Sequence, residues 1–162
     1  LDPAIYEEIV GKLLPKRATM RAMNLLKSRP YTEYQLRQKL SMGGYPQDAQ
    51  EEAISYVKSY HYIDDRQYAM DYIEYHQESK TKQKLLQSLM SKGLSKELIL
   101  ECFDEIVGDR KKELEEEQIL KILRKKNYDP EQWTFEEKQR LMASLYRKGF
   151  SSELIHVHFY LT

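Results

Sequence analysis

Four histidines, one cysteine and many carboxylates are the residues of this chain that could catalyse or bind metal, and their spacing supports neither. An acid/base pair needs two carboxyls in different environments, facing each other across a substrate. Asp64 and Asp65 are adjacent, and one is required as a helix cap because Asp64 and Gln67 stand at capping-box spacing. His156 and His158 are two positions apart on a helical pattern and so point to different faces. His61 and His76 have no partners at metal-ligand spacing. No glycine-rich phosphate loop or nucleophile motif occurs. A non-enzymatic protein with no cofactor and no metal is expected. Cys102 reads as a small buried apolar residue, and a single thiol rules out an intrachain disulfide.

The chemistry that does recur is positive charge. Lys+Arg and Asp+Glu both number 26, yet the charges are sorted into blocks. Cations against acids run 8 to 1 over residues 11–45, 2 to 8 over 46–78, 5 to 1 over 79–98, 3 to 8 over 99–119 and 8 to 4 over 120–150. A neutral total therefore hides local patches, which are what an anionic partner meets. Arg37 and Lys39, then Lys80, Lys82, Lys84 and Lys92, then Lys138, Arg140, Arg147 and Lys148 occupy comparable places, and Arg17, Arg21, Lys27 and Arg29 add to the first block. These are the candidate partner- or DNA-binding residues. Two readings stay open: a discontinuous basic strip, or neutralisation by acids such as Glu51, Glu52, Asp104 and Glu105. Among 13 tyrosines, Tyr68, Tyr72 and Tyr75 share a helix face and are expected to fill gaps between helices. Tyr31 and Tyr34, beside the basic helices, are the expected interface anchors.

The elements that must position these side chains are repeated. Leu85, Leu89, Lys92, Gly93, Ser95, Glu97, Leu98, Ile99 and Phe103 return 56 residues later as Leu141, Leu145, Lys148, Gly149, Ser151, Glu153, Leu154, Ile155 and Phe159. A weaker copy, Leu36, Leu40, Gly44, Pro46 and Asp48, lies 49 residues before the second. Helix starts and stops are dense: Asp2-Pro3, Thr32 with Gln35, Pro46, Ser79, Ser95, Thr134 with Glu137, and Ser151 open helices, while Gly44, Gly93 and Gly149 close them. The first helix is expected to stop near Leu14-Pro15, with a second from Lys16 to Ser28. The fold class is all-α: an elongated tandem array of three three-helix, helix-turn-helix-like repeats. Residues 1–15 are expected to form an N-terminal helix, for which the end of a missing segment is one reading because the chain opens on Leu1 rather than methionine; the repeats are expected to span 16–61, 62–107 and 108–162.

The corner between the second and third helix of each repeat resembles a DNA-reading helix-turn-helix. A recognition helix needs donors in its first turn, but here those turns carry Asp48, Glu97 and Glu153. Acids there complement the helix dipole and repel phosphate, so base reading is not expected. No apolar run is long enough for a membrane span and no signal peptide is evident, so a monomer in the cytoplasm is expected.

Arg29-x-Tyr31-Thr32-Glu33-x-x-Leu36-Arg37-x-x-Leu40 resembles the opening signature of the RecX regulators of bacterial recombination. Tyr62-Ile63-Asp64-Asp65-x-x-Tyr68-Ala69 resembles the most specific stretch of that family, and Leu85–Gly93 its basic helix. The resemblance covers most of Lys16–Phe103 and is looser beyond. It implies an array that binds the RecA recombinase filament and modulates it, usually by inhibiting ATP-dependent filament growth, strand exchange and co-protease activity in the SOS response, with some affinity for DNA. Gly43 where the other repeats have Lys92 and Lys148, and the long charged Asp109–Lys126 segment, depart from that pattern.

Overall fold

The structure, a computed structural model, describes residues 2–160. Leu1, Leu161 and Thr162, which the expected terminal segments include, lie outside the described residues. Within them the chain is helical without strands, and no helix is long and apolar enough to cross a membrane. The elements are α1 (Pro3–Glu8), a π-helical turn (Ile9–Leu13), α2 (Leu14–Ser28), α3 (Glu33–Met42), α4 (Gln47–Ser59), α5 (Asp65–His76), α6 (Lys82–Ser91), α7 (Lys96–Val107), a 3₁₀ turn (Gly108–Arg110), α8 (Lys111–Lys125), α9 (Phe135–Arg147) and α10 (Ser152–Tyr160).

Pro15 does not stop the first helix. Proline lacks an N–H and its ring presses on the carbonyl four residues back. The π turn widens the helix just before it: the Leu14 N–H donates to the Ile9 carbonyl, five residues back, and Pro15 enters at the start of α2. The helical path ends instead at Arg29, extended at φ −165° ahead of Pro30.

Elsewhere the caps explain the helix limits. Thr32 with Gln35 and Thr134 with Glu137 form complete capping boxes. Asp64, Ser95 and Ser151 accept the amides of Gln67, Leu98 and Leu154. Ser79 does not cap α6. Its hydroxyl turns back to the His76 carbonyl, and Thr81 accepts from the Lys84 N–H in its place. The three corners share one geometry. Gly44, Gly93 and Gly149 have φ of 82°, 88° and 87°, and the next residue bonds back to Leu40, Leu89 and Leu145 at 3.2, 3.2 and 3.3 Å. A side-chain-bearing residue would be strained there, and this return bond satisfies an orphan helix carbonyl.

Three apolar clusters follow one another along the chain. The first contains Leu36, Leu40, Ile54 and Val57, the second Leu85, Leu89, Ile99 and Phe103, the third Ile119, Leu145, Phe150 and Ile155. Ile63 packs into the first and Leu114 into the second, so neighbouring units share core at each junction. A compact chain of 19.4 kDa would expose about 8,500 Å²; this one exposes 10952 Å², as an elongated array must.

Neighbouring units meet at a repeated joint, the start of one middle helix against the corner of the next unit. The Thr32 hydroxyl donates to the Lys92 carbonyl at 2.6 Å, and Tyr34 lies on Gly93 so closely that an added Cβ would fall 2.2 Å from its own Cβ. Asp65 closes the joint by accepting the Glu33 N–H at 2.9 Å. One joint later, Gln83 covers Gly149, and with its side-chain amide turned so that the nitrogen faces them it donates to the Arg147 and Lys148 carbonyls at 2.8 and 2.9 Å. Adjacent Asp64 and Asp65 thus do two structural jobs, one capping α5 and the other reaching back to α3.

Candidate functional site

The second joint places the N-terminus of α6 beside the C-terminal turns of α8 and α9. α6 brings Lys84 and, just before it, Lys80; α8 brings Lys121 and Lys125; α9 and its corner bring Arg147 and Lys148. These six cations line a groove of about 700 Å³ in which Glu78 is the one carboxylate among the lining residues. A smaller recess of about 220 Å³ continues it, with Lys82 and Lys111 facing Glu115. There Lys82 lies 5.1 Å from the centre of the Phe103 ring. Burial, and then the neighbouring Lys111, hold the Lys82 ammonium below its usual range.

The basic surface continues toward the first unit through tyrosine. Lys80 Nζ donates to the Tyr72 hydroxyl at 2.7 Å, and the Lys80 and Lys92 ammonium groups lie 5.1 and 5.5 Å from the Tyr72 ring centre. Burial pushes the Tyr72 phenol up, but hydrogen bonds from Lys80 and Ser88 and the two lysine charges outweigh it, leaving it below its ordinary value. His76, 4.4 Å from the same ring, is lowered by desolvation and then by Lys80 and Lys92. Across a cavity of about 300 Å³, Tyr68, Tyr72, Tyr75 and His76 face Arg29 and Pro30 at the end of α2. Arg29 in turn lies 4.3 Å over Tyr31. Among the described residues, Arg29, Lys80, Lys84, Lys92, Lys121, Lys125, Arg147 and Lys148 make no ion pair within 4.0 Å. The result is a strip of uncompensated cations and tyrosines running across three units.

The structure does not gather every residue singled out in the sequence. Arg37 is held by Glu51 and, at 3.3 Å, by Glu33; for this residue the acidic-neighbour reading holds. Lys138 Nζ donates to the Pro130 carbonyl at 2.7 Å. Arg17, Arg21, Lys27, Lys39 and Arg140 are exposed but do not line the groove. Tyr31 is only 6 % exposed and belongs to the first core, and Tyr34 is committed to Gly93. Tyr75 fills no gap between helices: it is 83 % exposed. Lys121 and Lys125 escaped sequence reasoning, although Arg124, Lys125 and Lys126 form a visible basic end to a long helix. Tyr72 and His76, read from sequence as a gap-filling ring and a histidine without ligand partners, lie beside Lys80 and Lys92. Among the described residues no cluster of three or more histidine, cysteine or acidic side chains could hold a metal ion.

The comparisons with known proteins point one way. The family model for the first three-helix domain of RecX matches residues 18–56, and that for its third three-helix domain matches 113–156. The regulatory protein RecX of Caldanaerobacter subterraneus subsp. tengcongensis is 32 % identical over 158 residues, covering 97 % of this chain and 76 % of the relative. That of Clostridium botulinum is 33 % identical over 128 residues, 76 % of this chain and 58 % of the relative. A crystal structure of regulatory protein RecX superposes with a TM-score of 0.78 at 23 % identity, over 100 % of this chain and 80 % of the other. RecX from Lactobacillus salivarius gives 0.73 at 20 % identity, over 89 % and 93 %. At those identities the structures speak for the fold, and the sequences for descent: this chain belongs to the RecX family.

Proposed function

We propose that this protein is a non-enzymatic cytoplasmic regulator that binds the RecA recombinase filament on DNA and inhibits its ATP hydrolysis, strand exchange and co-protease activity. The observation that carries the reading is the uncompensated basic strip from Arg29 through Lys92 and Lys80 to Lys125 and Lys148. Exposed ion pairs contribute about 0–1 kcal/mol each, so leaving these cations unpaired costs the fold little and leaves them available to an anionic partner. A filament offers acidic protein surface and DNA phosphate together, and an elongated array reaches more than one of its subunits. The test is co-sedimentation of the purified chain with RecA–DNA filaments and measurement of filament ATP hydrolysis. Binding with inhibition supports the reading, and no binding at low salt defeats it.

The groove beside α6 also favours a second reading, DNA binding without RecA. It requires affinity for naked duplex that falls with salt at a slope near 0.9 per phosphate contacted. Competition between RecA filaments and duplex for the chain separates the two readings.

A further inference from the structure

In the tyrosine-lined slot beside the first joint, Tyr68 and Tyr72 pack against the second core, whereas Tyr75 does not. Tyr68, Tyr72 and Tyr75 stand on one face of α5 opposite Arg29 and Pro30. Tyr75 is 83 % exposed and meets His76 edge-on at 4.8 Å, so a ring face remains open to a ligand. Asp71 is the one carboxylate lining the slot, and it already accepts from the Gln67 amide at 2.8 Å. Arg29 lines the slot, Lys80 and Lys92 lie 5.1 and 5.5 Å from the ring centre of Tyr72 at its edge, and the groove of six cations continues from Lys80. Flat apolar faces interleaved with unpaired positive charge suit a ligand that carries rings and negative charges in alternation. A positive groove with aromatic platforms is how proteins hold single strands without reading sequence.

We infer that the slot between α5 and the Arg29–Pro30 turn takes an unpaired nucleobase, with the flanking phosphates on Arg29, Lys80 and Lys92. A base locked in a duplex cannot enter, so the slot makes this surface selective for single-stranded nucleic acid. An acidic peptide is the lesser fit, since the cations extend past the slot into the next unit as a regular polyanion requires. The inference rests on the strip being the partner-binding surface and specifies the nucleic-acid part of that partner.

The test uses fluorescence anisotropy without RecA, comparing a labelled oligothymidylate, an abasic oligomer of equal length and the matching duplex. Stacking of one base is worth about 1–3 kcal/mol, a preference of about 5- to 150-fold for the thymidylate over the abasic strand. Tyr75→Ala removes that preference and Tyr75→Phe keeps it, while the salt dependence stays the same in both, because the phosphate contacts remain. Equal binding of the two strands by the wild-type chain overturns the inference, as does a preference that survives Tyr75→Ala. If the strands bind equally, or not at all, yet Tyr75→Ala weakens co-sedimentation with RecA filaments, the slot holds protein. That outcome overturns the base slot and leaves the proposed function standing.

Discussion

Gly93→Ala should uncouple the first two units, and its effect can be worked from the joint. The backbone at Gly93 has φ of 88°, which costs an alanine about 1–2 kcal/mol. The new Cβ would also fall 2.2 Å from Tyr34 Cβ and 2.3 Å from its Cγ. Atoms cannot share that space, and Tyr34 Cβ is fixed to the α3 backbone, so the units must separate there. Separation breaks the Thr32–Lys92 bond, worth about 0.5–1.5 kcal/mol, and the Glu33–Asp65 bond to a carboxylate, worth about 1.5–3 kcal/mol. The expected loss is about 3–6 kcal/mol. Gly44→Ala is the internal control: its φ is 82° and nothing lies within 4 Å of the added Cβ. Only the conformational cost of about 1–2 kcal/mol remains there. Urea unfolding measures the difference, and hydrogen exchange should show early loss of protection at residues 32–35 and 63–66. Tyr34→Ala should not rescue Gly93→Ala, because it keeps the clashing Cβ; Tyr34→Gly should rescue in part. If Gly93→Ala is no worse than Gly44→Ala, the joint is not rigid and the reasoning fails.

Leu89, fully buried in the second cluster, should cost about 2–5 kcal/mol as Leu89→Ala in the same unfolding assay. Arg37→Ala removes a partly exposed pair with Glu51 and Glu33 and should cost no more than about 1 kcal/mol, with filament binding unchanged. His76 should titrate below its ordinary value of 6.5 by NMR, and Lys80→Gln should move it upward, since Lys80 is one cause of the depression. Because the folded imidazole holds its proton less well than the unfolded one, stability rises with pH between that lowered value and 6.5 and falls on acidification through the same window. A bound polyanion that neutralises the Lys80 and Lys92 charges should raise the His76 pKa as Lys80→Gln does.

The local grammar of this chain was readable because it is local. Capping boxes at Thr32 and Thr134 and left-handed glycines at Gly44, Gly93 and Gly149 act over a few residues, and the structure shows them where spacing placed them. Pro15 was misread because a π turn upstream can absorb the missing amide, and no residue type announces that turn. Ser79 and Thr81 are both good caps; which one serves depends on where α5 releases the chain. The repeat and the all-helical fold were legible, whereas the joint was not. Gly93 looked like a helix stop and is also the seat of Tyr34, a contact across 59 residues of sequence. Tyr31 shows the same limit, since its place beside cations hid its place in the core. The basic strip was half visible: block charge located Lys80, Lys84, Lys92, Arg147 and Lys148, but only packing brought Lys121 and Lys125 against them.

The central claim is that the strip's uncompensated cations, and not positive charge in general, engage the filament. Two charge-reversal pairs test it directly through inhibition of RecA filament ATP hydrolysis. Lys84→Glu with Lys125→Glu alters two exposed residues of the groove, and Arg17→Glu with Arg21→Glu alters the same charge on exposed positions of α2 outside it. The account predicts that the first pair abolishes inhibition at unchanged thermal stability while the second leaves it near wild type. Equal loss from both pairs, or loss from the α2 pair alone, would contradict it.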